Sequence, residues 1–352
     1  MSPLATATLA DDRLDPVTDP AWTELLGRCE GAEVFHHPLW LELLRAEYGY
    51  EIEAHCVRAA DGAIAAALPV ARIESRLTGR RLVALPFSDT CGPLVADDAD
   101  AGPALGEGLA RAAAREGLPL IVHAPLPGVP EGCRARCFVR HELPLATAAE
   151  EVEAGFSKGT ARNLAKAERA GLRFEIGHGR AALDGFYRLH LLTRRKLGVP
   201  TQPRRFIRRF ERLFDAGLGF VGTVSEDGEA LAAGVFLSFA GTLTYKYGAS
   251  DPARLAARPN HLLHAAAIRH GCERGLRRYD LGRSDLDAEG LRRFKRGWGA
   301  AERDLFYTYV GPPPPQGGGD GAGGRLGAAV IKRSPVFVGR AVGRLLYRHH
   351  GR

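Results

Sequence analysis

The chain has 352 residues, 45% of them hydrophobic and 25% charged, with a formal charge of +7. This is ordinary globular composition, and the length favours two or more domains. From Arg325 to the end there are seven basic residues and no acidic one, which leaves 41 Lys+Arg against 41 Asp+Glu elsewhere. The basic balance therefore belongs to the tail and argues against a general nucleic-acid-binding body.

Six cysteines in a chain this long do not form a disulfide framework. A reducing, cytoplasmic setting is expected. Cys133, Cys137 and His141 have a spacing that fits no common zinc site, so no metal is expected. The N-terminal stretch has no basic region followed by an apolar one, and Asp11, Asp12 and Asp15 argue against a secretion signal. The longest apolar runs, such as Ala63 to Val70, are too short to cross a bilayer.

Residues 1–20 are polar and Pro-rich and read as a disordered N-terminus. Trp22–Cys29 and His37–Tyr48 read as amphipathic helices, the second with Leu39, Trp40, Leu43, Leu44 and Tyr48 at helical spacing. Ile52–Ala59 and Ala63–Ile73 form a hairpin around Asp61-Gly62. A strand at Leu82–Pro86 leads into the turn-rich loop Phe87–Pro93, in which Asp89 is the one charged residue; it reads either as the border of an acceptor cleft or as a plain loop. The spacing then predicts a helix at Leu105–Glu116 and strands at Pro119–His123 and Cys137–Leu143.

The layout then repeats. Val152–Phe156 and Lys158–Ala170 are helical, with Gly171 after the second. Phe174–Ile176 is a strand, and Leu183–Leu197 and Pro203–Ala216 are helices. Phe220–Ser225 and Ala230–Phe239 form a hairpin around Asp227-Gly228. Next come a strand at Leu243–Gly248, a charged loop over Ala249–Pro259 and a helix from Asn260 to about Arg274. The strand Tyr279–Leu281, a short helix carrying Leu291–Lys295 and a strand at Leu305–Val310 close the unit. Gly311–Gly324 is a Pro/Gly linker. Beyond it Pro335–Tyr347 reads as a short helix with Arg340, Arg344 and Arg348 on one stripe and Val338, Val342 and Leu345 on another. That segment is either a membrane-surface element or a helix docked on the body with a solvated arginine face. The domain reading is 1–20, 21–148, 149–310, 311–324 and 325–352.

The candidate active region is residues 243–307. A strand that feeds a helix through an arginine-rich loop is a ready anion site, because the first helical N–H groups are unpaired. Arg254, Arg258 and His261 can add charge, and Asn260 either contacts a phosphate or caps the helix. Lys246, set mid-strand between Tyr245 and Tyr247, reads either as a phosphate- or carbonyl-binding residue or as one half of a structural ion pair. Lys295, between Phe294 and Trp298, divides the same way. Asp280 either orients or deprotonates an amine or pairs with Arg283 at the strand end. Lys158, Arg162 and Lys166 fall every four residues on one helix, and Arg204, Arg205, Arg208, Arg209 and Arg212 crowd another. Both runs read either as solvated faces or as a surface for tRNA or another polyanion.

Phe156-Ser157-Lys158, Arg162-Asn163, Lys166-Ala167 and Gly171 resemble the opening of the second domain in FemAB-like (BioF2-like) acyltransferases of the GNAT superfamily. Arg195–Pro200, Tyr245–Ser250, Arg258-Pro259-Asn260, Tyr279–Ser284 and Phe294–Gly299 resemble the later blocks. The resemblance covers about residues 20–310. It implies an α+β chain of two tandem GNAT-like domains with mixed central sheets, plus a flexible linker and a basic C-terminal helix. It implies an N-acyltransferase acting on an amine of an envelope or polysaccharide precursor, with acyl-CoA as donor. Members that build peptidoglycan cross-bridges use aminoacyl-tRNA instead, so a tRNA-dependent peptidyltransferase is the alternative. A catalytically idle GNAT-like module that docks on a membrane assembly is a third. On this reading Lys246, Asp280 and Lys295 are catalytic, and Arg254, Arg258, Asn260 and Arg283 hold the donor. Asp89, Tyr245 and Tyr247 face the acceptor, and the tail meets an anionic membrane from the cytoplasmic side. Two departures mark this sequence: no coiled-coil arm is inserted in the second half, and Asp251–Pro259 stands where a Q/R-x-x-G-x-G/A acetyl-CoA loop belongs.

Overall fold

The computed structural model describes residues 12–96, 98, 100–311 and 322–350. The chain forms two compact units: residues 1–137, 305–317 and 347–352 make the first, and residues 138–304 and 318–346 the second.

In the first unit, β1 (Asp12–Leu14) is followed by α1 (Pro20–Arg28) and α2 (Pro38–Tyr48), then β2 (Glu51–Arg58), β3 (Ile64–Ser75), β4 (Gly79–Ala84), β5 (Leu94–Val95), α3 (Ala101–Glu116) and β6 (Leu120–Val122). Antiparallel β1–β2–β3–β4 gives way to a parallel β4–β6 pair. Residues 305–310 return to this unit, where Thr308–Val310 pairs antiparallel with β6. Trp22, Trp40 and Phe35 are fully buried, so the helical period read from residues 39–48 marks a core-facing side. The expectation of disorder over residues 1–20 is corrected where the structure speaks to it. Asp12–Leu14 is a strand paired with β2, and Asp19 caps α1 through a 2.9 Å bond from the Ala21 N–H. Residues 1–11 lie outside the described residues, as does most of the expected 311–324 linker.

The second unit opens with β7 (Arg134–Pro144), of which residues 138–144 belong to it. There follow α4 (Ala149–Glu153), α5 (Lys158–Arg169), β8 (Arg173–Gly177), α6 (Arg180–Leu197), α7 (Arg204–Arg208) and α8 (Phe210–Asp215). Next come β9 (Gly219–Glu226), β10 (Glu229–Phe239), β11 (Thr242–Ser250), α9 (Pro259–Glu273), β12 (Arg278–Asp285), α10 (Glu289–Arg296), β13 (Ala301–Val310), α11 (Ala322–Arg333) and α12 (Val336–His350). Its sheet runs β7-β12-β11-β10-β9-β8, antiparallel except for the β11–β12 pair. The turn at Asp227-Gly228, with both residues in the left-handed region, closes one hairpin, as its sequence predicts. Ala240-Gly241 closes the next with an alanine in the left-handed region.

Leu263, Ala267 and Ile268 of α9 pack with Phe220, Phe236 and Tyr279 of the sheet in one core cluster. The single helix expected over Pro203–Ala216 is two, broken at Arg209. The break lets Phe206 and Phe210 meet edge-on, with ring centroids 5.4 Å apart, while both are fully buried. The helix expected over Pro335–Tyr347 is α12, and α11 before it is a further helix not expected from the sequence.

Candidate functional site

The parallel β11–β12 ladder lasts three pairs, Thr242↔Arg278, Leu243↔Tyr279 and Thr244↔Asp280, and then stops. Each of the two strands carries a bulge just past that point. On β11, Val235 faces Tyr247 and Phe236 faces Tyr245, so Lys246 is the extra residue. On β12, the register against β7 slips by one between Asp280 and Arg283, with Gly282 at φ +73°. A side chain would strain that left-handed position, so glycine permits the kink. The strands therefore part beyond Thr244 and Asp280, and their facing edges leave a wedge.

The bulge also sorts the tyrosines. In a regular strand residues 245 and 247 share a face. Here Tyr245 meets His264 of α9, with centroids 4.6 Å apart, whereas Tyr247 joins Phe206, Phe210 and His190 of α6. Lys246 lies half-buried between them, its Nζ 5.3 Å from the Tyr247 ring centre. The end of β11 is pinned by Thr193 of α6, whose hydroxyl donates to the Ser250 carbonyl at 3.1 Å and accepts from the Ser250 N–H at 2.9 Å.

The far wall is built around Asp280, which is 1% exposed. Its Oδ2 accepts two bonds from the Arg140 guanidinium, at 3.2 and 2.8 Å, and its Oδ1 accepts from the Gly282 N–H at 2.8 Å. The expected Asp280–Arg283 pair is thus corrected: the partner is Arg140 on β7, and the Arg283 guanidinium sits over the Phe138 ring, 4.3 Å from its centre. The kinked strand turns the carbonyls of Gly282 and Arg283 toward Lys295 of α10. Its ammonium, only 5% exposed as a residue, donates to both at 2.9 Å.

The third part is the start of α9. Arg258, in the left-handed region at φ +63°, is the residue before the helix, and Pro259 is its first position. Asn260 is therefore the second helical residue and not the cap. No side chain caps this end; Pro259 has no N–H and the His261 N–H bonds the Arg258 carbonyl at 2.9 Å, so the Asn260 N–H and the positive end of the helix dipole are what this terminus offers. Asn163 of α5 bonds His261 at 3.3 Å, which holds α5 against the first turn of α9. Arg258 on one element and Lys158 and Arg162 on the other are exposed and form no ion pair among the described residues. His261 does not add charge there as expected. Burial, reinforced by Arg258, lowers its pKa to about 4, so it is neutral near pH 7. His264 is held lower still, to about 3, by burial with His261 and Lys295 contributing, and its Nδ1 bonds the Tyr279 hydroxyl at 2.6 Å.

The structure places Lys246 at the β11 bulge, Asp280 and Lys295 at the β12 kink with the Gly282 and Arg283 backbone, and Arg258 and Asn260 at the start of α9. It does not bring Arg254 there. That guanidinium pairs with Glu226 and Glu229 on the β9–β10 hairpin. Asp89 belongs to the first unit, where its carbonyl accepts from the Tyr307 hydroxyl. The arginine-rich α7 is partly neutralised, since Arg204 and Arg208 share Asp184. Thr193, Arg140 and His264 escaped the sequence reading. They act on the backbone or from beneath the strand, and only the register slips reveal them. A cleft of about 540 Å³ lined by Gly185, Arg188, Leu192, Asp251 and Val336 lies along α6, and no sequence-predicted site residue lines it.

Residues 154–296 match the family described as acetyltransferase (GNAT) domain. Among solved structures, the chain superposes on that of FemX with a TM-score of 0.64 at 14% identity, covering 84% of this chain and 96% of that one. It matches L-PGS from Bacillus licheniformis with a TM-score of 0.54 at 13% identity, covering 94% and 98%. A tandem GNAT protein from the clavulanic acid biosynthesis pathway gives 0.52 at 15% identity, covering 86% and 98%. No curated protein matches the chain in sequence. These likenesses give the fold: α+β, with two GNAT-type units in tandem.

Proposed function

We propose that this chain, whose residues 154–296 form a GNAT acetyltransferase domain, transfers an acyl group from a phosphate-bearing carrier, acyl-CoA, to an amine. The observation that carries the reading is the wedge between β11 and β12, with a helix start that no side chain caps and three exposed cations that form no ion pair among the described residues. A donor of this kind is an extended amide chain ending in phosphates. The edge of β11 beyond Thr244 offers it backbone partners, and the start of α9 with Arg258, Asn260, Arg162 and Lys158 offers its phosphates charge and the Asn260 N–H.

Acyl transfer needs a neutral amine and a stabilised oxyanion as the carbonyl becomes tetrahedral. Lys246, at the bulge, supplies positive charge beside the donor carbonyl. Lys295 fixes the β12 edge through two carbonyls and adds its charge from behind. Asp280 acts by position. Both its oxygens are engaged, so it shapes the Gly282 kink and does not take the amine's proton. The amine then attacks the carbonyl carbon, the carrier's thiolate leaves, and the ammonium formed loses its proton to solvent. We further propose an envelope or polysaccharide precursor as acceptor, in a cytoplasmic enzyme. Tyr245 and Tyr247 are the acceptor residues proposed for the second unit.

Aminoacyl-tRNA is the alternative donor. The exposed stripe of Lys158, Arg162 and Lys166 favours it, while the pairing of Arg204 and Arg208 with Asp184 counts against α7 as a polyanion surface. Calorimetric titration with acetyl-CoA, a long-chain acyl-CoA and a charged tRNA separates the two. Binding of an acyl-CoA that Arg258→Glu weakens at least about tenfold supports the first. Binding of tRNA alone supports the second, and silence with all three overturns transfer as the function. Lys246→Ala and Lys295→Ala, checked for native circular dichroism, are expected to reduce turnover by about a hundredfold or more. Wild-type rates remove both lysines from the site.

A further inference from the structure

Beyond transfer chemistry, the tail presents a surface of its own. α11 and α12 are seated on the turn that follows α6. The Thr201 N–H donates to the Gly339 carbonyl at 3.1 Å. At Gly343 a β-carbon would lie 1.8 Å from the Thr201 oxygen, so only glycine lets α12 approach this closely. Ile331 of α11 is buried, and Gly198 lies against Ala328 and Lys332.

This seat fixes which way α12 faces. Positions 339 and 343 point inward, and Phe337, Arg340, Ala341, Arg344 and Leu345 are exposed. Phe337, Ala341 and Leu345 fall four apart and form one apolar stripe, with Phe337 59% and Leu345 71% exposed. Arg340 and Arg344 run alongside, each three residues after a member of that stripe. Val330 on α11, and Leu197 just before Gly198, are exposed too, so four of the eight exposed large hydrophobics among the described residues gather on the tail helices and their seat. Lys332, Arg333, Arg340 and Arg344 are exposed and form no ion pair among the described residues. A helix face meant only for water does not display phenylalanine and leucine beside unpaired arginines.

We propose that this outward face of α12, with the end of α11, docks on an anionic lipid bilayer. An aromatic and a leucine side chain enter the headgroup boundary while Arg340, Arg344, Lys332 and Arg333 meet lipid phosphates. The charge commits the partner. From Arg325 on there is no acidic residue to repel an anionic surface. No helix among the described residues is long and apolar enough to cross a membrane, so the contact is interfacial.

The test is co-sedimentation of the full chain with phosphatidylglycerol-containing and with pure phosphatidylcholine vesicles, at low and high salt. The variants are Arg340→Glu/Arg344→Glu and Phe337→Ser/Leu345→Ser. All four positions are exposed, so unchanged thermal melting certifies folding. The expected result is salt-sensitive binding to the anionic vesicles only, with half-saturating lipid raised about tenfold or more by each double variant. Binding that the charge variant loses but the apolar variant keeps would mean a soluble polyanion and overturn the proposal. So would equal binding to neutral vesicles, no binding at all, or wild-type binding by both variants. None of these readouts depends on turnover.

Discussion

Acidification should loosen the second unit through its buried histidines, His190 and His264 foremost. His190 is fully enclosed. Its Nε2 donates to Gln202 Oε1 at 2.7 Å, and its Nδ1 has no partner. Burial, with Arg194 adding to it, pushes its pKa down to about 3, and His264 is displaced to about the same value by burial first. An unfolded histidine titrates near 6.5, so between pH 6.5 and about 3 the unfolded chain binds more protons than the native one. Stability must therefore fall as pH falls through that window. At pH 5.5 each histidine costs about 1.4 kcal/mol relative to pH 7.5, about 3 kcal/mol for the pair. His261, held to about 4, adds a similar amount, and His36, His141 and His270 are displaced in the same direction. The strongly paired carboxylates do not interfere, because Glu302, held to about 2 by Arg292, loses its contribution only at more acid pH. Urea unfolding at pH 7.5 and 5.5 measures the difference. His264→Gln should abolish about 1.4 kcal/mol of it. A wild-type change under about 1 kcal/mol, or a full-sized change in the variant, would refute the assignment.

Asp280→Asn removes the nearer carboxylate of Arg140, which keeps Glu142 at 3.6 Å. It should cost about 2 kcal/mol by urea unfolding, and turnover should fall with a larger effect on kcat than on KM if the residue acts by positioning. Thr193→Val removes both bonds that hold Ser250 and should cost about 1–2 kcal/mol while weakening donor binding, read by calorimetry. Gly343→Ala should lift α12 from Thr201 and expose the tail to limited proteolysis, whereas Ala341→Ser on the outer face should leave the cleavage pattern unchanged.

Much of the layout was legible because local chemistry dictates it. Asp61-Gly62 and Asp227-Gly228 can only turn, residues 39–48 have a helical period, and Ser157 caps α5 through a bond from the Thr160 N–H. The family resemblance of residues 156–299 rested on the same local blocks and agrees with the GNAT match over residues 154–296. Tertiary structure decided what no spacing encodes. Whether a strand stays paired depends on its neighbours, so the bulges at Lys246 and Gly282, and the wedge they open, were invisible in a linear reading. The partner of Asp280 was settled by which strand lies alongside β12, and Arg140, 140 positions away, outcompeted nearby Arg283. The tail shows the division most plainly: its sequence offered a basic amphipathic helix, but the glycines at 339 and 343 chose the inward side. That choice left Phe337 and Leu345 in water, and close packing of backbone on backbone is the reason.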